Sequence, residues 1–319
     1  MKLSDLTTET LAARLREGGV VLQVGPFLVR LGTSLRELIE PVHLLYTHYE
    51  LVDQADRIVD FDIRLDPPSR PARWRGRRAA FYIDGKRAFQ PFERSISLPM
   101  LEWVVNWCVF TIPNQYLILH AAVVERGGRA AILPGEPGAG KSTLCGALAF
   151  RGWRLFSDEV AMMRPGETRL LPVPRPIGLK EQSIEVIRGF EPGAVLGPAI
   201  PGTRKGTVAH IQPDRESVER GNESAEAGWI IFPRYEAGTA ARLVRMSKGY
   251  TLLKIAHDAF NFSTLGVAGF ETAADVVDGC ACYELSYGDL NDAVGIFHQL
   301  AGEVQVGDSE SNQHGASHE

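Results

Sequence analysis

Residues 135–142 read Gly-Glu-Pro-Gly-Ala-Gly-Lys-Ser, a G-x4-G-K-[ST] pattern between the apolar run Arg129-Ala-Ala-Ile-Leu and the helix-forming run Thr143-Leu-Cys-Gly-Ala-Leu-Ala-Phe. No other stretch constrains the chain as strongly, because the pattern works only as a strand, a tight turn and a helix N-terminus in that order. Glycines let the backbone curl so that several N–H groups point inward, and the helix start adds roughly half a positive charge. Such a cradle suits phosphate oxygens. Gly135, Glu136, Pro137, Gly138, Ala139, Gly140, Lys141, Ser142 and Thr143 are therefore the candidate nucleotide contacts. Lys141 would neutralise the β- and γ-phosphates of ATP, and the Ser142 hydroxyl would complete a Mg2+ shell. The fold class implied is α/β, a mixed sheet around a P-loop core. The plainer reading of the loop is a glycine-rich turn with a solvated lysine.

A nucleotide site of this kind also needs acid to hold Mg2+. Leu155-Phe-Ser-Asp-Glu-Val160 supplies the adjacent carboxylates Asp158 and Glu159 shortly after the expected helix. Neighbours on a strand face opposite ways, but a strand end or turn aims both the same way. One would then bind metal while the other takes a proton from an acceptor hydroxyl. His120 lies in the apolar strand Leu117-Ile-Leu-His-Ala-Ala-Val-Val, which the Gly127-Gly128 turn folds back beside the loop's own strand. Histidines in such strands are commonly core residues, and this hairpin is what makes His120 a site candidate.

Residues 1–97 read as an α+β module. Ser34 begins a helical pattern through Tyr46, Arg57 to Leu65 alternates as a strand, and Arg78–Ile83, Asp84-Gly85 and Lys86–Phe89 form a hairpin with a D-G turn. An antiparallel sheet with one covering helix is expected, with Pro67 to Pro71 as a loop. Trp103 and Trp107, four apart in a helix from Leu98 to Phe110, read as core. Residues 164–228 hold many prolines and read as loop-rich, with one helix from Glu181 to Arg188. Trp229 to Phe232 is a strand ending at Pro233, and Ser247 caps a helix running to Phe262. The domain reading is 1–97, 98–301 and a polar, disordered tail at 302–319.

The order of a histidine strand, a turn, a strand, the Gly-Lys-Ser loop, one short helix and an acidic pair resembles HPr kinase/phosphorylase and its phosphoenolpyruvate-carboxykinase-like fold. The likeness runs from about Leu117 to Val160 and extends to Lys254-Ile-Ala-His-Asp-Ala-Phe-Asn-Phe. Within that group the chain looks most like the HPr-kinase-related kinases. The resemblance implies an ATP- and Mg2+-dependent kinase acting on a hydroxyl, of serine or threonine in a small protein or peptide or of a small molecule. It implies Asp158 as the base that activates the acceptor, His120 as its support and Glu159 on the metal. Its further metal ligand and its arginine on the transferring phosphate have Glu185 and Arg234 as the nearest candidates, for each of which a surface charge is the plainer reading. A homo-oligomer is also implied. The docking signature for HPr is not recognisable, so HPr itself is not the expected substrate. The competing reading is a nucleotide-binding regulatory NTPase or switch without an acceptor.

The loop Pro201-Gly-Thr-Arg-Lys-Gly-Thr207 would close over a triphosphate, grip an acidic substrate or simply be solvated, and His210 reads as structural. Cys145, one turn into the loop's helix, reads as close enough to the nucleotide for alkylation to block binding. The net charge of −5, from 34 Lys+Arg and 39 Asp+Glu, with no basic run, gives no footprint of a nucleic-acid binder. The apolar stretch Met100–Ile112 is too short for a membrane span. A polar start at Met1–Asp5 without a signal-peptide core makes a cytoplasmic location the expectation. Nothing in Cys108, Cys145, Cys280 and Cys282 has the spacing of a structural zinc site.

Overall fold

The computed structural model describes residues 1–52, 58–68 and 77–311, the side chains of 303–311 excepted. The expected loop at Pro67 to Pro71 lies partly outside these residues. The chain opens with α1 (Thr8–Glu17), the hairpin β1 (Val20–Val24) and β2 (Phe27–Thr33), then α2 (Ile39–Leu45), β3 (Leu51–Val52), β4 (Phe61–Asp66), β5 (Arg78–Ile83), β6 (Lys86–Arg87) and β7 (Phe92–Glu93). These strands form one sheet in the order β3-β1-β2-β4-β5-β6, with β7 also on β5. The sheet is not wholly antiparallel as expected, because β2 and β4 run parallel with Val29 opposite Phe61. The D-G turn forms as read, with Asp84 and Gly85 both at positive φ and Ile83 opposite Lys86. The helix expected from Ser34 starts late. Ser34 N–H donates to the Asp66 carboxylate and Leu35 N–H to Thr33 Oγ1, which keeps this stretch extended. Only a 3-10 turn over Arg36–Leu38 and the short α2 follow, with Pro41 in the first helical turn where its missing N–H costs nothing.

Helix α3 (Ser97–Thr111) carries the chain to the second sheet, yet its buried Leu98, Leu101, Val104, Val105, Cys108 and Val109 share one core with α1, α2 and the first sheet. Ile118, Val160, Met162 and Leu171 of the second sheet, with Val173 just past its strand β12, join that core too. The N-terminal segment is therefore packed onto the rest through a continuous apolar layer.

Beyond α3 come β8 (Leu117–Arg126), β9 (Arg129–Pro134), α4 (Lys141–Ala149), β10 (Arg154–Ser157), β11 (Val160–Met163) and β12 (Arg169–Leu171). β8 is the central plank. β9 pairs with its second half, while β10 and β11 both pair antiparallel with its other edge. Its side chains alternate as a strand should. Leu117, Leu119, Ala121 and Val123 face one core, while Ala122 and Val124 face the core that holds α4. His120 has the parity of Ala122 and so faces the α4 side.

Residues 164–228 are not the loop-rich stretch expected. They build β13 (Ile177–Lys180), α5 (Gln182–Phe190), β14 (Ile200–Thr203), β15 (Gly206–Ile211) and α6 (Arg215–Glu219), with a three-stranded sheet in the order β13-β15-β14. The prolines flank these elements or, at Pro201, sit on the edge strand, where a missing donor breaks no ladder. The chain then enters β16 (Ala225–Tyr235), parallel to β9. β16 continues through Pro233 to Tyr235. Position 233 aims its missing N–H to the side on which Tyr235 N–H donates to Ala139 O, past the end of β9, so no ladder bond is lost.

Four helices and two strands complete the chain: β17 (Arg242–Arg245), α7 (Lys248–His257), α8 (Phe262–Leu265), α9 (Val267–Gly279), β18 (Ala281–Tyr287) and α10 (Leu290–Ser311). β18 lies parallel to β16, making the second sheet mixed and the architecture α/β. Ser247 does cap α7 by accepting Tyr250 N–H, but the helix stops at His257 rather than Phe262. Residues 258–260 are drawn out to bond β8, with His120 N–H to Asp258 O and Phe260 N–H to Ile118 O, each 2.9 Å. α10 continues to Ser311, into the segment expected as a tail, and 312–319 lie outside the described residues. Among the described residues no helix is long and apolar enough to cross a membrane.

Candidate active site

The site is a cleft of about 560 Å3 where the Gly135–Ser142 loop, the break between β10 and β11, and the three-stranded sheet meet. The loop leaves β9 and enters the nine-residue α4 at Lys141, so the free N–H groups of that helix start point into the cleft. Gly140 holds the loop shut with φ of +90°, and a Cβ there would stand 2.5 Å from the Tyr287 hydroxyl. That hydroxyl donates to Gly140 O at 3.4 Å, and Tyr235 packs edge-on against Tyr287. The ends of β16 and β18 thus brace the loop from outside. Lys141 turns its ammonium onto the carbonyls of Gly135 and Glu136, and burial holds its pKa below the usual lysine value.

The acidic pair is positioned by a strand irregularity. β10 pairs Leu155 with Val124 but Ser157 with Val123, so one residue is extra and the strand is interrupted before β11 resumes with Val160 opposite His120. The Ser157 hydroxyl accepts N–H from Glu159 at 3.3 Å and from Val160 at 3.0 Å, which closes the turn. A bulge re-aims side chains that a regular strand would send to opposite faces. Asp158 and Glu159 both line the cleft as a result.

Asp158 is 5% exposed and its Oδ2 accepts Gly178 N–H from β13 at 2.9 Å. Burial, helped by the negative charge of Glu159, pushes its carboxyl up from 3.8 to about 7, against the pull of Gly178 N–H and Arg175. His120 Nδ1 lies 3.3 Å from Glu159 O and 3.4 Å from its Oε2. Burial lowers the histidine below its usual value, so the ring is neutral at pH 7. Both groups that Nδ1 faces are acceptors, so Nδ1 carries the proton and donates. His120 therefore orients Glu159 rather than Asp158.

Of the residues singled out from sequence, His120, Glu136, Pro137, Gly138, Gly140, Lys141, Ser142, Thr143, Asp158 and Glu159 line this one cleft, while Gly135 and Ala139 contribute loop backbone. Glu185 and Arg234 are not brought to it. Glu185, with its side chain 72% exposed, pairs with Arg188 on the far side of α5, and Arg234 pairs with Glu236 beside the cleft-lining Tyr235. Cys145 is not open to alkylation. It is fully buried, its thiol lies against Ser157 O, and burial raises its pKa well above the ordinary value.

The structure adds residues that no pattern marked. Lys180 ends β13 on the cleft wall, beside Lys205 of the Pro201–Thr207 loop already singled out from the sequence, which forms the β14–β15 turn. Arg175, 3% exposed, donates to Glu102 Oε2 at 2.5 Å and to Glu102 O at 2.9 Å, and also to Asn106. The Tyr46 hydroxyl donates to the same carboxylate and Tyr49 donates to Pro174 O. Arg175 stands between two prolines, the only sign in the sequence that its backbone is fixed.

Mg2+ suits these donors. Among the described residues no three His, Cys, Asp or Glu gather into a metal cluster, and Mg2+ is typically held by one or two carboxylates with water and phosphate oxygens. Ser142 Oγ and Glu159, with Asp158 adjacent, form such a partial set. No family model and no curated protein matches the chain. Among solved structures the HPr(Ser) kinase/phosphatase from Coxiella burnetii is similar over 58% of this chain and 98% of that chain, at 15% identity and a TM-score of 0.27, a likeness too slight to carry an argument about function.

Proposed function

We propose that the chain is an ATP- and Mg2+-dependent phosphotransferase with a hydroxyl acceptor, built on a P-loop core of the phosphoenolpyruvate-carboxykinase type. The observation that carries this reading is Asp158. A buried carboxyl pushed to about 7 shares one cleft with a G-x4-G-K-S loop, its lysine and a helix N-terminus. A base poised near neutrality is what deprotonating an alcohol requires, and the loop supplies the phosphate cradle.

In this reading the loop N–H groups and Lys141 grip the triphosphate, with Lys141 leaving the Gly135 and Glu136 carbonyls for phosphate oxygens. Asp158 takes the acceptor hydroxyl's proton while that oxygen bonds to the γ-phosphorus, and the bond from phosphorus to the bridging oxygen breaks to release ADP. Glu159 and Ser142 are the metal-side ligands, and Mg2+ when bound supplies charge neutralisation on the triphosphate. His120 holds Glu159 in place through Nδ1–H.

Incubation with γ-labelled ATP and a cell lysate, followed by separation of protein-bound, small-molecule and free phosphate, tests this. Label on an acceptor that is lost in Asp158→Asn, with ATP binding retained, is the expected result. Release of free phosphate alone would favour a regulatory NTPase. Transfer unchanged in Asp158→Asn would remove the base assignment.

A further inference from the structure

One wall of the cleft carries two ammonium groups outside the phosphate cradle. Lys180 follows Gly178 by two residues on β13, so its side chain leaves the strand on the face where a Cβ on Gly178 would stand 3.8 Å from Asp158 Oδ2. Lys205 comes from the β14–β15 turn, which Thr203 fixes by accepting Lys205 N–H at 3.0 Å and donating to Gly206 O at 2.7 Å. Both line the cleft together with Asp158 and Glu159. Among the described residues neither lysine pairs with a carboxylate within 4.0 Å. The neighbouring acid, Glu181, is turned away: it takes a positive φ of 48°, and its Oε1 accepts Thr207 N–H at 2.7 Å. This arrangement sets two like charges side by side, with Glu159 and Asp158 of the same cleft as the carboxylates that act on Lys180. Partial burial and the Lys205 charge accordingly hold Lys180 below its usual pKa.

The pair stands on the acceptor's side. A triphosphate already has Lys141 and the α4 N-terminus, and those sit on the loop. The hydroxyl to be deprotonated must lie within hydrogen-bond reach of Asp158, whose carboxyl is anchored to the same strand that carries Lys180. We propose that Lys180 and Lys205 form an anion subsite for the acceptor, so that the hydroxyl receiving the phosphoryl group is carried beside a carboxylate. The substrate class is therefore acidic, either a serine flanked by Asp or Glu in a peptide or a free hydroxy acid. This rests on the phosphotransferase reading.

The test uses the full chain saturated with ATP and Mg2+. Acetylation of surface lysines is read by mass spectrometry in the presence of the peptides Glu-Glu-Ser-Glu-Glu or Gln-Gln-Ser-Gln-Gln, or of L-serine or glycerate. Protection of Lys180 and Lys205 by the acidic peptide points to a protein segment, and protection by serine or glycerate points to a small acceptor. ATP alone, and the glutamine peptide, should leave both lysines reactive. With γ-labelled ATP the protecting compound should also become labelled. Lys180→Met and Lys205→Met should each raise its KM roughly tenfold or more, as loss of a charge-assisted hydrogen bond implies, with the affinity for ATP unchanged. Full protection by ATP alone, equal protection by the glutamine peptide, or no protection by any of the anions overturns the subsite. So does an acceptor KM that ignores both substitutions. Protection without label transfer to any compound leaves the subsite standing and overturns the phosphotransferase reading.

Discussion

Replacing Asp158 with Asn should end phosphoryl transfer and yet make the folded chain more stable at alkaline pH. The carboxyl is 5% exposed, and burial beside Glu159 pushes it from 3.8 to about 7. Because the folded-state pKa lies above the unfolded one, the ionised form is the form that the fold disfavours. Below about pH 4 the group is protonated in both states and costs nothing. Between about pH 4 and 7 only the unfolded chain ionises it, so stability falls, and above about pH 7 the loss levels off. At about 1.4 kcal/mol per pH unit, this amounts to about 2 kcal/mol at pH 5 and about 4 kcal/mol at pH 8. Asn carries no charge and keeps an oxygen for Gly178 N–H, so it escapes the pH-dependent loss. Its NH2 group lacks a partner and costs about 1–3 kcal/mol at every pH. The expected signature is a stability difference, variant minus native, that rises by roughly 2–3 kcal/mol from pH 5 to pH 8. Urea unfolding in EDTA at the two pH values measures it, provided the m-values agree. A difference that stays the same at both pH values would refute the reasoning, because it would mean that the carboxyl ionises as easily in the fold as in the unfolded chain.

Gly140→Ala should abolish the ATP-induced rise in melting temperature. The left-handed φ costs about 1–2 kcal/mol and the new methyl displaces the Tyr287 hydroxyl, 2.5 Å away, whereas Gly138→Ala meets nothing within 4 Å and should weaken binding less. Arg175→Met should lower the unfolding free energy by about 3–5 kcal/mol, since it strands Glu102 at 4% side-chain exposure, and the double variant with Glu102→Leu should recover much of that in the same urea titration. None of the four cysteines should react with a disulfide reagent in the native state. All are buried, with Cys108 and Cys280 pushed up to about 12, so rapid modification of Cys145 would show that α4 opens.

What the sequence revealed follows from the range of the interactions. The strand–loop–helix around Lys141, the β8–β9 hairpin and the D-G turn are local, each specified within about twenty residues, and each is found where the pattern placed it. Asp158 and Glu159 were visible as residues, but the device that aims both inward, the Ser157 turn and the slip against β8, depends on pairing with a strand some 35 residues earlier. Residues 164–228 misled because the prolines fall between the strands and helices or, at Pro201, on an edge strand, where they break no ladder. The end of α7 was lost to a tertiary competitor, since β8 claims the backbone of 258–260. Lys180 and Arg175 gave no motif at all. Their meaning lies in what faces them across the fold.

Arg175 also ties the first 97 residues to the cleft. A guanidinium free to reach Asp158 would pair with it directly and depress its carboxyl by roughly 1–3 pH units, which would spoil it for the proposed role of base near neutrality. Glu102 prevents this by taking the guanidinium on its carboxylate and main-chain oxygen, while Asn106 takes its other nitrogen. Arg175 then acts on Asp158 through its field alone, opposing burial without overcoming it. Glu102 is itself held by the Tyr46 hydroxyl, and Tyr49 fixes the Pro174 carbonyl next to the arginine. Both tyrosines belong to the N-terminal segment. A chain truncated before α3 would keep every residue of the cleft, and Glu102 and Asn106 with it, but would lose the Tyr46 hydroxyl that holds Glu102 and the Tyr49 hydroxyl on Pro174 O, so, with the guanidinium less firmly held, its pH profile for transfer should shift to the acid side even where the remaining sheet stays folded.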